Sequence, residues 1–167
     1  MVKGGKFVSI QLIHAMNDLT ATHKDLLELS KRKTETLTNN KLDEFQALLL
    51  EEQKLIRQLE KQEQKRQEAV EAWNEEQHHP AELLTITEIL NRLTGEEQKM
   101  AEAAAVALTD TITELKRQEH LNKALLEESM KFVQLSMELV NPTIGSMNYG
   151  TASSEKMSGR SLFDSKA

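Results

Sequence analysis

LKRQEHLNKALLEESMKFVQLSMEL, residues 115–139, carries more apolar surface than a helix with one neighbour needs. At about 100° per residue, its apolar side chains fall on two stripes. Leu115, Leu126, Met130, Val133 and Met137 form one, which Val140 extends. Leu121, Leu125, Phe132, Leu135 and Leu139 form the other, displaced by roughly 120° around the axis. A single neighbour requires one apolar face about 100° wide. The second stripe therefore calls for a second neighbour, from the chain's own bundle or from a partner. The stripe through Leu126, Met130, Val133 and Met137 is expected to pack inside, because it continues upstream through Leu115, Leu108 and the small residues near Ala104. That leaves Leu121, Leu125, Phe132, Leu135 and Leu139 as the face for a partner helix, a mode in which an apolar face is read at helical spacing.

Outward from this stretch the whole chain reads as helix. A first helix is expected over about 9–37, with Leu12, Ile13, Met16, Leu19, His23, Leu26, Leu27 and Ser30 on one stripe. Thr38-Asn39-Asn40 stops it, since Asn side chains compete for backbone hydrogen bonds and favour turns. A second helix, 42–77, opens with Asp43 and Glu44 at the positive end of its dipole. Its heptads read Leu42, Phe45, Leu49, Glu52, Ile56, Leu59, Glu63, Arg66, Val70, Trp73. The greasy half of that seam predicts tight packing near the Asn39-Asn40 turn and thin packing beyond Glu63. So short a turn makes the two helices antiparallel neighbours.

His78-His79-Pro80 breaks the pattern, with proline suited to the first position of a short third helix, 80–93. Thr94-Gly95-Glu96-Glu97 reads as a capping box for a fourth helix, 95–140. Asn141-Pro142 ends it. The remainder, 141–167, is rich in Ser, Gly, Thr and Lys without a period and is expected to be a flexible tail that does not support the fold. It holds the chain's only tyrosine, Tyr149, and an apolar pair, Leu162-Phe163. The fold class is all-α, an elongated antiparallel helical hairpin or coiled-coil bundle of three to four helices over 1–140.

Composition narrows the function. Aromatic residues make up 4% and charged residues 29%, the balance of long helices. A net charge of −6, with basic residues alternating with Glu, argues against nucleic acid, which demands clustered Lys and Arg. Lys31-Arg32-Lys33 is the best basic patch. There is no cysteine, which removes disulfides, thiolate catalysis and Cys-based zinc sites and fits a reducing cytoplasm. No window reaches the roughly 20 apolar residues of a membrane span. A soluble intracellular protein is expected.

Glu75-Glu76-Gln77-His78-His79 contains Glu-x-x-His twice in overlapping register, the spacing of di-iron bundles, but such sites need the motif on two helices, and no copy lies outside this one stretch. His14 and His23 lie on or beside the first helix's stripe and read as packing residues. No Gly-x-Ser-x-Gly elbow or Gly-rich phosphate loop is present. The expectation is no enzyme, no cofactor and no metal, which leaves interaction.

LNKALLEESMKFVQLSMEL resembles the FlgN family of flagellar export chaperones, whose members carry an Asn-x-x-Leu-Leu-x-x-Ser-like run matched here by Asn122, Leu125, Leu126 and Ser129. The long first helix followed by LDEFQALLLEEQKLIRQLEKQEQKR resembles the same family. The resemblance implies a cytoplasmic chaperone of flagellar type III secretion. Its clients would be the hook-associated proteins of the hook–filament junction, held by the C-terminal helical region. It also implies docking on the cytoplasmic domain of the export gate through a tyrosine near the C-terminus, a role only Tyr149 can fill. The competing reading is a structural or tethering coiled coil that self-associates through the second helix.

Overall fold

The computed structural model describes residues 4–76 and 85–140, with side chains from Ser9 onward. The expected tail with Tyr149, Leu162 and Phe163 lies outside the described residues, as do His78, His79 and Pro80. The chain is all-α: among the described residues are α1 (Gly4–Thr38), α2 (Leu42–Glu76), α3 (Ile86–Arg92) and α4 (Gly95–Val140), and no strand. Its contacts divide it into two units, one ending at Lys123 and the other starting at Ala124.

The first unit is built on the turn after α1. Asn40 adopts a left-handed conformation, with φ 54°, which Asn tolerates better than most residues. The Lys41 N–H donates to the Thr36 carbonyl at 2.8 Å, and the Asn40 N–H to that of Leu37 at 3.3 Å. This is a Schellman motif, which satisfies the last carbonyls of α1 and reverses the chain. α2 then runs back along α1. Gln58 donates to the Thr22 hydroxyl at 2.9 Å, and Arg32 and Lys33 reach Glu51 and Glu52 at 3.0 and 2.6 Å.

The seam of α2 differs in phase from the expected heptads. Phe45, Glu52, Leu59, Arg66 and Trp73 keep their row, but its companions are Leu48, Leu55 and Ala69 rather than Leu42, Leu49 and Ile56. Leu48 is 4% exposed and its neighbour Leu49 37%. The reason is the side on which α1 lies: Glu51, Glu52 and Gln58 all find partners on that flank.

The density of packing also departs from expectation. The main apolar cluster lies far from the Asn40 turn, where Leu12, Ile13, Met16 and Leu19 of α1 meet Ala69 and Trp73 of α2. Ile89 and Leu93 close over it, with Ala101, Ala104 and Leu108 of α4. Trp73 supplies the largest fully buried side chain and so sets where the core forms. Glu63 and Arg66 do not spoil the seam, because Arg66 grips the Glu63 carboxylate twice, at 2.9 and 2.7 Å. Those hydrogen bonds hold the Glu63 carboxyl below the usual carboxylate range.

α3 begins at Ile86, and residues 80–84 of the expected 80–93 helix lie outside the described residues. Thr85 is extended and caps it, accepting from the Glu88 N–H while the Glu88 carboxylate accepts from the Thr85 N–H at 2.7 Å. The capping box therefore lies here rather than at Thr94-Glu97. At the start of α4, Gly95 takes φ 68°, a conformation that costs glycine little, and the Glu97 carboxylate accepts from the Ser9 hydroxyl at 3.1 Å.

Trp73→Ala should remove the centre of this cluster and cost about 3–5 kcal/mol of unfolding free energy in urea titrations. Leu42→Ala, at a position 60% exposed, should change stability by less than about 0.5 kcal/mol. A cost of about 2 kcal/mol or more for Leu42→Ala would put Leu42 in the seam and restore the expected phase of α2.

Candidate functional site

α4 lies parallel to α1 in a constant register. Ser9 pairs with Glu97 and Thr34 with Asn122, both 88 positions apart, and Ser30 pairs with Glu119 at 89. The α4 residues that face α1 follow a heptad row: Ala101, Ala104, Leu108, Thr111, Leu115, Gln118, Asn122. All are buried except Leu115 and Gln118, which are half-buried. Small side chains at the start of this row let the helices approach closely. Polar ones occupy its other end.

There the sequence places a buried network. The Lys33 ammonium lies between Glu52 of α2, at 2.6 Å, and Glu119 of α4, at 2.9 Å, and so ties three helices together. The Asn122 amide donates to the Ser30 carbonyl at 2.8 Å and to its hydroxyl at 3.0 Å, and its carbonyl accepts from the Thr34 hydroxyl. Gln118 donates to that same Thr34 hydroxyl at 2.6 Å. Burial of Lys33 alone would lower its pKa, but the hydrogen bonds and charges of Glu52 and Glu119 outweigh it and raise the value above 10.5. The expected basic patch is therefore a set of ion pairs: Lys31 binds Glu28, Arg32 binds Glu51, and Lys33 binds both Glu52 and Glu119.

The second unit contains the rest of α4, from Ala124, and this part of the helix exposes large apolar side chains. Phe132 is 70% exposed, and Leu135 and Leu139 are also exposed. Leu125 is half-buried, and Leu121, the last of the five expected partner-binding residues, is exposed within the first unit. The expected inner stripe is not inside. Val133 is 55% exposed and Met137 65%, and Leu126 and Met130 are exposed with them. The upstream part of that stripe does pack, through Ala104 and Leu108. Its packing stops because α1 stops: 88 positions beyond Thr38, the last residue of α1, is position 126. α3 gives no cover here, since Ile89 and Leu93 belong to the core of the first unit.

Both stripes are in fact heptad seams. Leu125, Ser129, Phe132, Ser136 and Leu139 continue the row that faces α1 upstream, with Leu121 and Leu135 on its flank. Leu126, Met130, Val133, Met137 and Val140 form a second seam at alternating spacings of four and three. Together they span an apolar arc of roughly 220°, at 100° per residue. The Ser129 and Ser136 hydroxyls, between the seams, donate to the Leu125 and Phe132 carbonyls at 2.9 and 2.8 Å. An arc this wide fits between two helical neighbours.

Among the described residues the other sequence candidates form no comparable site, and the His78 and His79 of the Glu-x-x-His candidate lie outside them. Among the described residues no group of three or more His, Asp or Glu side chains could hold a metal ion. His14 is exposed rather than packed, and the half-buried His23 ring lies 2.7 Å from the Leu19 carbonyl. No helix among the described residues is long and apolar enough to cross a membrane. Sequence reasoning missed Lys33, Glu119 and the structural use of Asn122, whose signal was polar residues at the seam positions of two long helices.

The family model described as FlgN protein matches residues 8–156. The uncharacterized protein YvyG of Bacillus subtilis (strain 168) is 29% identical over 159 residues, which cover 93% of this chain and 97% of that protein. No solved structure matches.

Lys33→Ala should destabilise the protein by about 3 kcal/mol, the lower end for breaking a buried ion pair, because the two glutamates reach solvent. Lys33 titrates higher folded than unfolded. Its contribution is therefore fully present below the ordinary lysine value of 10.5 and is lost as pH rises through the raised folded value. The gap in unfolding free energy between wild type and Lys33→Ala should thus stay level from neutral pH to about pH 10 and close above it. A gap that stays open at alkaline pH, above the ordinary lysine value, would instead remove the Lys33 charge from the network.

Proposed function

Because the chain belongs to the FlgN family, a family of flagellar export chaperones and not of enzymes, we propose that it binds the hook-associated proteins of the hook–filament junction. In this reading it works in the cytoplasm, prevents their premature assembly and delivers them to the flagellar type III export apparatus. The observation that carries the reading is the exposed apolar arc of α4 from Leu121 to Val140. An unpartnered surface of this kind in a folded protein marks an interaction site. A client segment that is assembly-prone before export is shielded when its own apolar helical face lies against such an arc. Leu121, Leu125, Phe132, Leu135 and Leu139 remain the proposed client face, and the exposure of Leu126, Met130, Val133 and Met137 adds a second side to it. A client that covers both sides brings more than one helical segment.

Tyr149 is the proposed contact with the cytoplasmic domain of the export gate. The family match extends to residue 156 and so includes it. An aromatic ring gives large contact area at a small cost in rotamer freedom. The tethering coiled-coil reading loses its long seam, because the inward row of α2 is taken up by α1. The large apolar side chains that remain exposed on α2 are Leu42, Leu49, Leu50 and Ile56, all in its first half.

Phe132→Ala should weaken capture of a purified hook-associated protein about thirtyfold, the loss expected at a hot spot worth about 2 kcal/mol. Its melting temperature should stay that of the wild type, and so should that of Val133→Ala, since neither side chain is buried. Unfolding of either variant with client affinity intact would move the client site elsewhere. Tyr149→Ala should reduce binding to the gate's cytoplasmic domain and leave client capture unchanged. Equal gate affinity in that variant would make Tyr149 idle.

A further inference from the structure

The seam that α4 presents at Leu125–Leu139 is not uniformly greasy. Large apolar residues, Leu125, Phe132 and Leu139, occupy one heptad position, and serines, Ser129 and Ser136, occupy the other. Upstream, that second position is held by Ala101, Leu108, Leu115 and Asn122, and there it faces α1. The same row that receives a helix inside the protein thus continues, unfilled, through the exposed half of α4.

Resting on the chaperone reading, we propose that the client segment on this seam is a helix with large apolar side chains seven residues apart, seated on Ser129 and Ser136. In packed helices a side chain of one helix inserts into a hole framed by four residues of the other. A serine beside Phe132 and Leu139 makes such a hole deep. The seats are already free of polar cost, because each hydroxyl donates to the carbonyl four residues back, at 2.9 Å for Ser129 and 2.8 Å for Ser136. Covering them with an apolar group therefore strands no donor. Seven-residue spacing on the partner follows whichever way its helix runs, since the two serines are themselves seven apart. A second copy of the chain is the weaker occupant. Two helices of about four turns bury well short of the roughly 1,200 Å² of a stable interface, whereas a client that also covers Leu126, Met130, Val133 and Met137 adds the missing area.

The test uses the full chain and a purified hook-associated protein, with affinity read by calorimetry. Ser129→Ala and Ser136→Ala keep the holes open and should bind within about twofold of wild type. Ser129→Leu and Ser136→Leu fill them and should each weaken binding about tenfold, as overpacking does. Leucine favours helix more than serine, so the variants should keep their helicity and melting temperature. Leucine variants that bind as tightly as wild type, or more tightly, overturn the seats and leave the chaperone reading standing. Failure of the wild type to bind the client overturns that reading and the seats with it. A free wild-type dimer that Ser129→Leu dissociates would put a second copy on the seam and overturn the proposal.

Discussion

The position of the Asn40 turn governs the rest of the structure. A left-handed Asn and two carbonyl-capping bonds end α1 at Thr38. α1 is 35 residues long and α4 46, and the two share one parallel register. The heptad row of α4 keeps its spacing where α1 ends, but its surroundings change. Upstream it is closed by Leu12, Met16 and Leu19, and downstream Phe132 and Leu139 lie open to solvent. Exposure of the candidate site is thus a consequence of a length difference that a single turn enforces.

A register that matters this much needs a device to hold it. The apolar end of the α1–α4 contact is built from Ala101, Ala104 and Leu108, whose small or smooth surfaces tolerate a slip of one turn. The polar end does not. A shift by one heptad would take Asn122 away from Ser30 and Thr34 and Glu119 away from Lys33, leaving a buried ammonium and a buried amide short of partners. Against well-packed apolar residues such a network contributes little net stability, yet polar groups at seam positions are the best-attested means of fixing helix register. Trp73 and its cluster supply most of the stability here, and Lys33 with Asn122 supplies the alignment.

Much of this was legible in the sequence, and what escaped has identifiable causes. The helical period, the Asn39-Asn40 reversal and the two stripes of α4 are local patterns, and each is present. The phase of α2 is ambiguous because Leu48, Leu49 and Leu50 are consecutive, so either companion row can be written through them. Thr85-x-x-Glu88 and Thr94-x-x-Glu97 are equally good capping boxes on paper, and Glu97 is drawn instead to Ser9, 88 positions away. Lys33 read as part of a basic patch because its acids, Glu52 and Glu119, lie 19 and 86 positions along the chain. The burial of one α4 stripe was inferred from its upstream continuation, an inference that holds only as far as α1 reaches.

The two seams of the exposed helix differ in what they can discriminate. Leu125, Ser129, Phe132, Ser136 and Leu139 alternate large and small at fixed positions, so a partner must match them in shape. Leu126, Met130, Val133 and Met137 include two methionines, whose unbranched thioethers refill irregular gaps at small cost. A surface of this kind separates selection from adaptation. The serine-bearing seam rejects helices whose large side chains fall at the wrong spacing, since unmatched layers leave voids on one side and clashes on the other. The methionine-bearing seam then conforms to whatever else the accepted partner presents. On the chaperone reading, that division lets one helix serve more than one hook-associated client without becoming a general hydrophobic trap.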